Sequence, residues 1–470
     1  MCNNSRFLLA VAILFASATL APAAEFRAGI AVVDITGPKN YRMSGYFNER
    51  LSTGMHDPLQ AKAVVFRQGT SEAALVFCDL IGPYQDVTNR AREQAARKTG
   101  IPAAHILIHG THTHTGPLFE GALRKHFHDL AIEKHGNDLY EEIDYRALLV
   151  RQIVEAIAQA HGSARSVDIL AGIAEQRGLS FNRRFYLTDG SVRFNPGKLN
   201  PDIIRPAGPI DPDVGIILLK SPDGQQNRAA LTVFPLHLDT VGGTEYSADF
   251  PFYLERNLRQ SLGNEFTSVF GNGTCGDINH VDVTNTLPQR GLDEAARIGT
   301  TLAETVRHAL PRLKSLRVPK LAVRSGIARV PIQQYPPAEL AQAKLDIFKV
   351  GTSQLSFMDQ VKATKMMELQ MRPAELILLE IQVFRLSDDL AIVGLPGEVF
   401  VDLGLDIKRR SPFARTLVVE LCNDTPAYIP TQKAFTEGSY ETINSLIQPG
   451  GGEAMVDLAV TLLQEIKAVE

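Results

Sequence analysis

Hydrophobic and polar positions follow two patterns along the chain. Short apolar runs that end in small or polar residues predict buried strands at residues 26–35, 61–66, 73–80 and 106–108. Longer stretches with apolar positions three or four residues apart predict helices at residues 86–98, 144–161 and 292–310. The clearest apolar helix face is formed by Leu148, Val150, Ile153, Ile157 and Ala160.

The same two patterns continue to the end of the chain. Further strands are predicted at residues 167–171, 215–219, 229–234, 267–270, 322–331, 375–386, 390–395 and 417–421. Further helices are predicted at residues 337–349, 355–371 and 453–469. Strands and helices mix without the strict alternation of a barrel, and no linker rich in proline, serine or glycine divides the chain. The predicted fold class is therefore α/β with mixed α+β character, in which mixed β-sheets with helical cover form a single large unit.

A pair of histidines follows the predicted strand at residues 106–108, within Thr111-His112-Thr113-His114. On an extended backbone, residues two apart point to the same side, so both imidazoles can reach one point. The Thr-Gly-Pro that comes next forces a turn and places the pair at a strand end. Neutral imidazole is the commonest ligand of transition metals, but the pair alone does not distinguish a metal site from two satisfied buried histidines.

Three other predicted strands end in loops with a polar residue where an apolar one is expected. His237 and Glu398 each follow an apolar strand, and Asp277 lies in a loop of small residues. Each loop by itself is a routine turn. Together with the histidine pair, they supply the two or three histidines and the carboxylate that are typical of catalytic zinc.

Composition and the chain start limit the classes of protein that fit. The 470 residues are 44% hydrophobic with a formal net charge of -4, which gives no basic surface for nucleic acid. Residues 1–24 combine Arg6, an apolar stretch and an Ala21-Pro22-Ala23 cleavage site, and predict a signal peptide for export; the alternative is an uncleaved anchor. Loss of the signal leaves three cysteines, so at most one disulfide can form within the chain: Cys78, Cys275 and Cys422.

Taken together, these motifs resemble those of the neutral (non-lysosomal) ceramidases. The segment from Thr111 to Pro117 resembles the THTHSGP motif of that family. Further motifs of the family are matched, in the same order as in the family, between about Gly29 and Tyr440. They are Asp34-Ile35-Thr36-Gly37-Pro38, Met43-Ser44-Gly45-Tyr46, Asn182-Arg183, His237, Gly276-Asp277-Ile278, Pro396-Gly397-Glu398, Leu421-Cys422-Asn423 and Tyr428-Ile429-Pro430-Thr431. Any one match is weak, but the ordered set is specific.

The resemblance implies a zinc-dependent amidase that hydrolyses the N-acyl bond of ceramide. It implies one catalytic Zn²⁺ ion, with these ligands: His112, His237, Glu398 and Tyr428. It places His114, Arg183 and Tyr440 at the polar head of the substrate and a catalytic residue at the position of Asn279. His114, which faces the same way as His112, and Asp277, in the same motif as Asn279, are further candidate catalytic residues. From the residues alone, a half-buried loop tyrosine and a surface ion pair remain the alternatives for Tyr428 and Arg183.

The chain departs from the family pattern in two respects. Asn279 stands where the GDxSPN motif of the family has its serine, and an amide cannot act as a hydroxyl nucleophile. We therefore expect a route through metal-activated water, with His114 as hydrogen-bond donor or proton shuttle. Residues 25–470 are expected to form one catalytic domain, without the C-terminal immunoglobulin-like domain of the family.

The expected partner is a lipid-like or small amide substrate. Peripheral contact between the protein and a membrane is compatible with a substrate of this kind. Neither nucleic acid nor an obligate protein partner is expected, and the signal predicts an exported protein, periplasmic or secreted. Two alternatives remain open. One is a relative that hydrolyses a different amide or an ester, and the other is a non-catalytic zinc-containing binding protein.

Overall fold

The computed structural model describes residues 25–372 and 375–469. The predicted signal peptide, residues 1–24, lies outside the described residues. Within the described part of the chain, three large sheets follow one another along the sequence and share one strand order.

The first sheet contains β1 (Phe26–Asp34), β2 (Gln60–Gln68), β3 (Ser71–Cys78) and, after α1 (Gln85–Thr99), β4 (Ile106–Gly110). Strands β1, β2 and β3 pair antiparallel, whereas β4 lies parallel to β3 because the helix carries the chain back. Next come α2 (Gly121–His135) and α3 (Tyr145–Gly162). Helices α1 and α3 cover the outer face of this sheet.

The second sheet repeats this arrangement with β5 (Asp168–Glu175), β6 (Asp213–Lys220), β7 (Asn227–Phe234), α4 (Phe250–Leu262) and β8 (Thr267–Asn272). Strands β5, β6 and β7 pair antiparallel, and β8 lies parallel to β7. Helix α5 (Leu292–Ala309) follows and covers the outer face together with α4.

The third sheet begins with β9 (Pro319–Pro331), after which α6 (Pro337–Asp346) and α7 (Phe357–Met371) are inserted before β10 (Leu376–Ser387). It then continues with β11 (Leu390–Gly394), α8 (Val401–Arg410) and β12 (Arg415–Val419), which lies parallel to β11. The chain ends with α9 (Gln432–Glu437), α10 (Tyr440–Ile443) and α11 (Gly451–Ala468). Helices α8 and α11 cover the outer face.

The remaining elements are short. They include the two-residue to four-residue strands Gly54–Met55, Arg165–Ser166, Phe181–Asn182, Arg184–Leu187, Val192–Phe194, Ile203–Pro206, Glu245–Tyr246, Ile278–Asn279, Lys314–Ser315, Glu398–Val399 and Tyr428–Ile429, and the 3₁₀ turns Ala103–His105, Leu310–Arg312 and Ile347–Lys349. Two of these short strands, Glu398–Val399 and Tyr428–Ile429, pair in parallel and build part of the site described below.

The inner faces of the three sheets meet in one central core. Leu75 from the first sheet, Leu231 from the second and Ile392 from the third belong to the same buried cluster. Since helices cover the other face of every sheet, the central strands are buried on both sides, which explains why their sequences are continuous apolar runs. The predicted fold class, mixed sheets with helical cover, is confirmed.

The longest helices that the sequence patterns did not predict are α2 and α4. Helix α4 begins with Phe250 and Pro251, which suggest a turn, but Asp249 caps it by accepting a hydrogen bond from the backbone nitrogen of Phe250. Helix α2 buries few large apolar residues, so its periodicity is weak. None of the described helices is long and apolar enough to cross a membrane. The three described cysteines are free and buried.

Candidate metal centre

Three loops at the carboxyl ends of sheet strands meet at one buried point. His112 follows β4, His237 follows β7 and Glu398 follows β11. The Nε2 atoms of His112 and His237 lie 2.9 Å apart, and Oε2 of Glu398 lies 3.3 Å from Nε2 of His112. Carboxyl ends of parallel strands are where open α/β sheets place their ligand sites. The structure therefore brings together three of the four predicted metal ligands.

The backbone does not present His112 as the sequence argument assumed. Strand β4 ends at Gly110, and His112 has φ 77°, in the left-handed region. Its Nδ1 lies 2.6 Å from the carbonyl oxygen of Ile81, which can only accept, so Nδ1 donates and Nε2 keeps its lone pair. The prediction that an extended strand aligns the two rings was wrong, because a strained turn orients His112 instead.

His114 supplies a third imidazole to the same point. Its Nε2 lies 3.2 Å from Nε2 of His237, and nitrogen atoms of all three rings lie within 4.8 Å of one another. On the other side of the ring, Nδ1 lies 3.5 Å from a carboxylate oxygen of Asp239. The hydroxyl of Tyr46 donates to that same oxygen at 2.9 Å. Asp239 and Tyr46 therefore lie against the His114 ring, whose Nδ1 forms no hydrogen bond with a described residue.

The donor atoms fit a divalent cation. Nitrogen ligands about 2.1 Å from a tetrahedral zinc ion are separated from one another by roughly 3.4 Å, and the spacings of 2.9 to 3.3 Å are close to that value. Oε2 of Glu398 is buried and has no hydrogen-bond partner among the described residues. Burial lowers the pKa of His114 to about 4. Burial, with the charges of His112 and Arg183, lowers the pKa of His237 well below its usual value, so both rings offer lone pairs at neutral pH.

Tyr428 lies beside Glu398 because the short strands that carry them pair in parallel. Burial raises the pKa of Tyr428 well above its usual value, whereas Arg183 acts in the opposite direction. Nη2 of Arg183 donates to the Tyr428 hydroxyl at 3.0 Å. Burial also opposes ionisation of Glu398, but His112 and Tyr428 lower its pKa overall. The centre thus has an ionised carboxylate, and a phenol whose ionisation Arg183 supports.

A buried ion-pair cluster holds Arg183 in place. Its Nε donates to Glu441 at 3.0 Å, and its Nη2 donates to the carbonyl oxygen of Gly276 at 2.7 Å. Arg184 donates to the other carboxylate oxygen of Glu441 at 2.8 Å. The exposed fractions are 4% for Arg183, 1% for Arg184 and 0% for Glu441. The ion pair of Arg183 is therefore internal, unlike the surface pair that the sequence left open as an alternative.

Tyr440 begins α10 and joins an aromatic wall next to the centre. Its ring centroid lies 4.8 Å from that of Phe194 and 5.5 Å from those of Phe357 and Tyr428. The side-chain amide of Asn444 donates to its hydroxyl at 3.0 Å. Burial raises the pKa of Tyr440 to about 12, so the phenol keeps its proton at neutral pH and can donate it in a hydrogen bond.

Asp277 and Asn279 lie behind the centre. The carboxylate of Asp277 accepts from Nδ2 of Asn182 and from the backbone nitrogen of Val401, both at 2.8 Å. Asn279 donates to the side chain of Asn195 at 3.0 Å. Neither is among the described residues that line the two cavities beside the histidines. Through these two hydrogen bonds, Asp277 links the short strand that precedes Arg183 to the start of α8. Asp277 is therefore a positioning residue.

We expect the Asp277→Asn variant to lose part of the pH dependence of stability. Burial raises the pKa of Asp277 to about 6, so between about pH 4 and pH 6 the native state retains a proton that the unfolded chain has lost. The contribution of Asp277 to the free energy of unfolding therefore falls as pH rises from about 4 through about 6, and it levels off above that. Urea unfolding below and above this interval should show a smaller fall in Asp277→Asn than in the wild type.

Asp129→Asn is the matched control for this measurement, because its carboxylate is exposed on α2. It should retain the wild-type pH dependence. An identical pH dependence in Asp277→Asn and the wild type would contradict the expected titration of Asp277.

Two cavities open from the centre and share His114, Tyr428 and Tyr440 in their walls. The small cavity, of about 160 Å³, lies between the start of α2 and the second half of α7, where Glu120, Lys365 and Glu368 line it. The large cavity, of about 710 Å³, lies on the other side, beside His237 and Arg183. The centre is therefore reachable by a ligand that extends in two directions.

Sequence reasoning missed several residues that shape the centre. Tyr46 was noted only as part of a loop motif, and neither Asp239 nor Glu441 was singled out. Asp239 lies two residues after His237, and Glu441 follows Tyr440 directly. This nearness in sequence to a predicted site residue was the available signal for these two acids, but it does not reveal the direction of a side chain.

A second cluster also holds donor atoms within 4.8 Å of one another: His128, Asp138 and Glu141. Arg42 donates to Asp138 at 2.6 Å, and Arg42 and Arg124 both pair with Glu141. These arginines already neutralise the carboxylates. We therefore interpret this cluster as an ion-pair network, which offers a useful control for metal binding.

Comparison with known proteins gives the family. The profile described as "Neutral/alkaline non-lysosomal ceramidase, N-terminal" matches residues 26–248, about half of the described chain. This segment contains His112, His114, Arg183 and His237. Glu398 and Tyr428 lie beyond it, so their association with the histidines rests on the three-dimensional structure.

Neutral ceramidase B of Dictyostelium discoideum is 24% identical over 271 residues, which cover 54% of this chain and 35% of that protein. The neutral ceramidase of Mycobacterium tuberculosis is 28% identical over 269 residues, which cover 52% of this chain and 40% of that protein. The chain thus matches well under half of the length of these curated relatives.

The solved structure of a neutral ceramidase from Pseudomonas aeruginosa has the same fold, with a TM-score of 0.72 at 20% identity. The match covers 95% of this chain and 76% of that one. The matched profile, the fold and the ordered motifs agree with one another. The chain belongs to the neutral/alkaline non-lysosomal ceramidase family.

Proposed function

We propose that the chain is a metal-dependent hydrolase that cleaves a linear amide bond, the N-acyl bond of a ceramide or a related substrate. The observation that carries the proposal is the convergence of His112, His237 and Glu398 on one point from which two cavities open. Family membership and the names of the relatives support the amide bond as the target.

The metal is proposed to be one Zn²⁺ ion held by His112, His237, Glu398 and Tyr428. When bound, it would supply Lewis acidity to the acyl carbonyl and to a water molecule. The mixture of imidazole nitrogens and one carboxylate oxygen favours zinc over magnesium or calcium, which prefer oxygen ligands. Tyr428 is the least usual ligand of the set, and the hydrogen bond from Arg183 supports its ionised form.

His114 is proposed to move the proton. It is neutral at pH 7, because burial lowers its pKa, and its Nε2 faces the same point as the ligands. A neutral Nε2 can accept the proton of the attacking water and later pass it to the departing amine. Asp239 lies against the ring and favours the protonated state that this transfer requires.

The remaining predicted residues have supporting roles. Tyr440 lines both cavities and would donate a hydrogen bond to the polar head of the substrate. Arg183 lines the large cavity, but most of its donors bind Glu441, Gly276 and Tyr428, so it acts mainly on Tyr428. Asn279 replaces the serine of the family and is proposed to orient Asn195, with water as the nucleophile.

The expected experimental result is release of fatty acid from an N-acyl sphingosine, or from another amide of a substrate panel, by the purified protein. A chelator should abolish the release, and added Zn²⁺ should restore it, because the donor set is pre-arranged. The His112→Ala variant should be inactive under the same conditions. Liquid chromatography with mass spectrometry of the released acid measures all three.

The outcomes separate the candidate functions. Turnover of other amides but not of ceramide would reject ceramide as the substrate and keep the hydrolase. Bound zinc without turnover of any amide or ester would favour a non-catalytic binding protein, which the asparagine at position 279 makes a specific alternative. Activity that resists the chelator would contradict metal dependence.

We further propose that the protein is exported and meets its substrate outside the cytoplasm, in the periplasm or beyond the cell. The support is the apolar start of the chain and its small-residue cleavage site. N-terminal sequencing of protein from the producing cells tests this, with a mature start near residue 25 as the expected result.

A further inference from the structure

The large cavity has one aromatic side. Phe47 and Phe357 meet edge-to-face at 5.8 Å between ring centroids, and Phe357 stacks on Tyr440 at 5.5 Å. Phe194 continues this side behind Tyr440. Such a surface favours the apolar part of an amphiphilic ligand, because it removes apolar area from water on binding.

The large cavity is also lined by a cation that has no partner among the described residues. Arg290 lines the cavity and is exposed, and it forms no ion pair or side-chain hydrogen bond with any residue between 25 and 372 or between 375 and 469. The nearby carboxylate of Asp239 accepts from Tyr46 and lies against His114, so it is already engaged. The charge of Arg290 acts on the part of the cavity wall that Tyr46 forms. Burial raises the pKa of Tyr46, and the positive charge of Arg290 partly offsets that rise.

The other two cationic side chains among the described residues of the two cavities, Arg183 and Lys365, are paired. Arg183 is neutralised by Glu441. In the small cavity, Lys365 pairs with Glu368, while Glu120 pairs with Arg146 at 3.1 Å. Among the described side chains that line the two cavities, Arg290 is therefore the cation left without a partner for an anionic ligand group, and it lies in the large cavity.

We infer that the preferred substrate is an amphiphilic amide that carries a carboxylate, which Arg290 binds while the apolar part lies on the aromatic side. This inference rests on the proposed amide hydrolysis. An arginine fork binds a carboxylate through two parallel hydrogen bonds, which gives both affinity and orientation. The carboxylate can belong to the amine portion, as in an N-acyl amino acid, or to the acyl portion, as in a monoamide of a dicarboxylic acid.

The test compares N-dodecanoylglycine with its neutral analogue N-dodecanoylethanolamine, and includes a long-chain dicarboxylic acid monoamide as the third substrate. We expect the wild type to prefer one of the two anionic amides by about tenfold or more in kcat/KM, the size expected for a charge-assisted hydrogen bond. Whichever anionic amide is preferred identifies the portion that carries the carboxylate. High salt should reduce the preference, because Arg290 is exposed and screened.

The Arg290→Gln variant should lose this preference through a higher KM for the anionic amide, with kcat for the neutral amide unchanged. Arg256→Gln is the matched control. Arg256 is also exposed and has no ion pair among the described residues, but it lines a separate cavity beside α4. It should keep the wild-type preference, so that a general effect of removing one positive charge is excluded.

Equal kcat/KM values for anionic and neutral amides in the wild type, or an unchanged preference in Arg290→Gln, would overturn this inference and leave the hydrolase intact. Failure of the wild type to cleave any amide would contradict the proposed function. In that case, calorimetric binding of the same three compounds decides the inference separately. Equal affinities for the neutral amide and both anionic amides would overturn it, and tighter binding of either anionic amide that is lost in Arg290→Gln would support it.

Discussion

The His237→Ala variant is expected to lose its bound metal and its activity together. His237 is the central donor, since its Nε2 lies 2.9 Å from Nε2 of His112 and 3.2 Å from Nε2 of His114. Without it, the second sheet contributes no donor to the site. We expect metal content to fall from about one ion per chain to near zero and hydrolysis to fall by roughly 10³-fold or more, because Lewis-acid stabilisation worth several kcal/mol is lost.

Elemental analysis of the dialysed protein and rates of amide hydrolysis measure this effect. The matched control is His128→Ala, in the second histidine-containing cluster, whose carboxylates already bind arginines. It should retain metal and activity. Circular dichroism establishes that both variants fold. Full metal occupancy in His237→Ala, or loss of metal in His128→Ala, would show that the metal centre is placed wrongly.

The Glu441→Ala variant is expected to be strongly destabilised. The carboxylate of Glu441 has 0% side-chain exposure and pairs with two buried arginines, Arg183 and Arg184. Removing it leaves two desolvated cations without their shared partner, although Glu437 still pairs with Arg184. Breaking a buried ion pair from one side costs about 3–5 kcal/mol. We expect a decrease of that order in the free energy of unfolding.

Denaturant unfolding of Glu441→Ala and of Glu155→Ala measures the contrast. Glu155 forms an exposed pair with Lys98 at 2.7 Å, and its removal should leave stability unchanged within error. Glu441→Gln keeps the volume and one acceptor, so it should lose less stability than Glu441→Ala. Wild-type stability in Glu441→Ala would mean that solvent reaches the arginines, contrary to their burial.

The fold class followed from local patterns. The apolar runs at residues 61–66 and 73–80 became parts of β2 and β3, because strands buried on both faces need apolar residues at every position. The helical spacing at residues 144–161 matches α3. The threefold repetition of sheet order could not be predicted in this way, since the three sheets share topology and no periodic sequence motif. It depends on which strands pair, and pairing is a long-range property.

The candidate site was found through residue types at strand ends and through the family resemblance. These gave the donors His112, His237 and Glu398, which the structure brings together. They did not give the strained turn at His112 or the partners of His114, because a backbone in the left-handed region is set by surrounding packing and not by the residue itself. Whether each donor binds zinc stays a prediction.

The sequence by itself determined the secondary structure of most segments, the mixed α/β class and the chemical types of the donors, since periodicity and turn residues act over a few neighbours. Only the tertiary structure decided that loops far apart in the chain meet at one point. Packing of three sheets around a shared core aligns their strand ends, and that alignment places Glu398 beside His112. It also decided that Arg183 is internal, whereas Arg290 lines the large cavity with no partner in the described part of the chain, because charge pairing depends on side-chain direction in three dimensions.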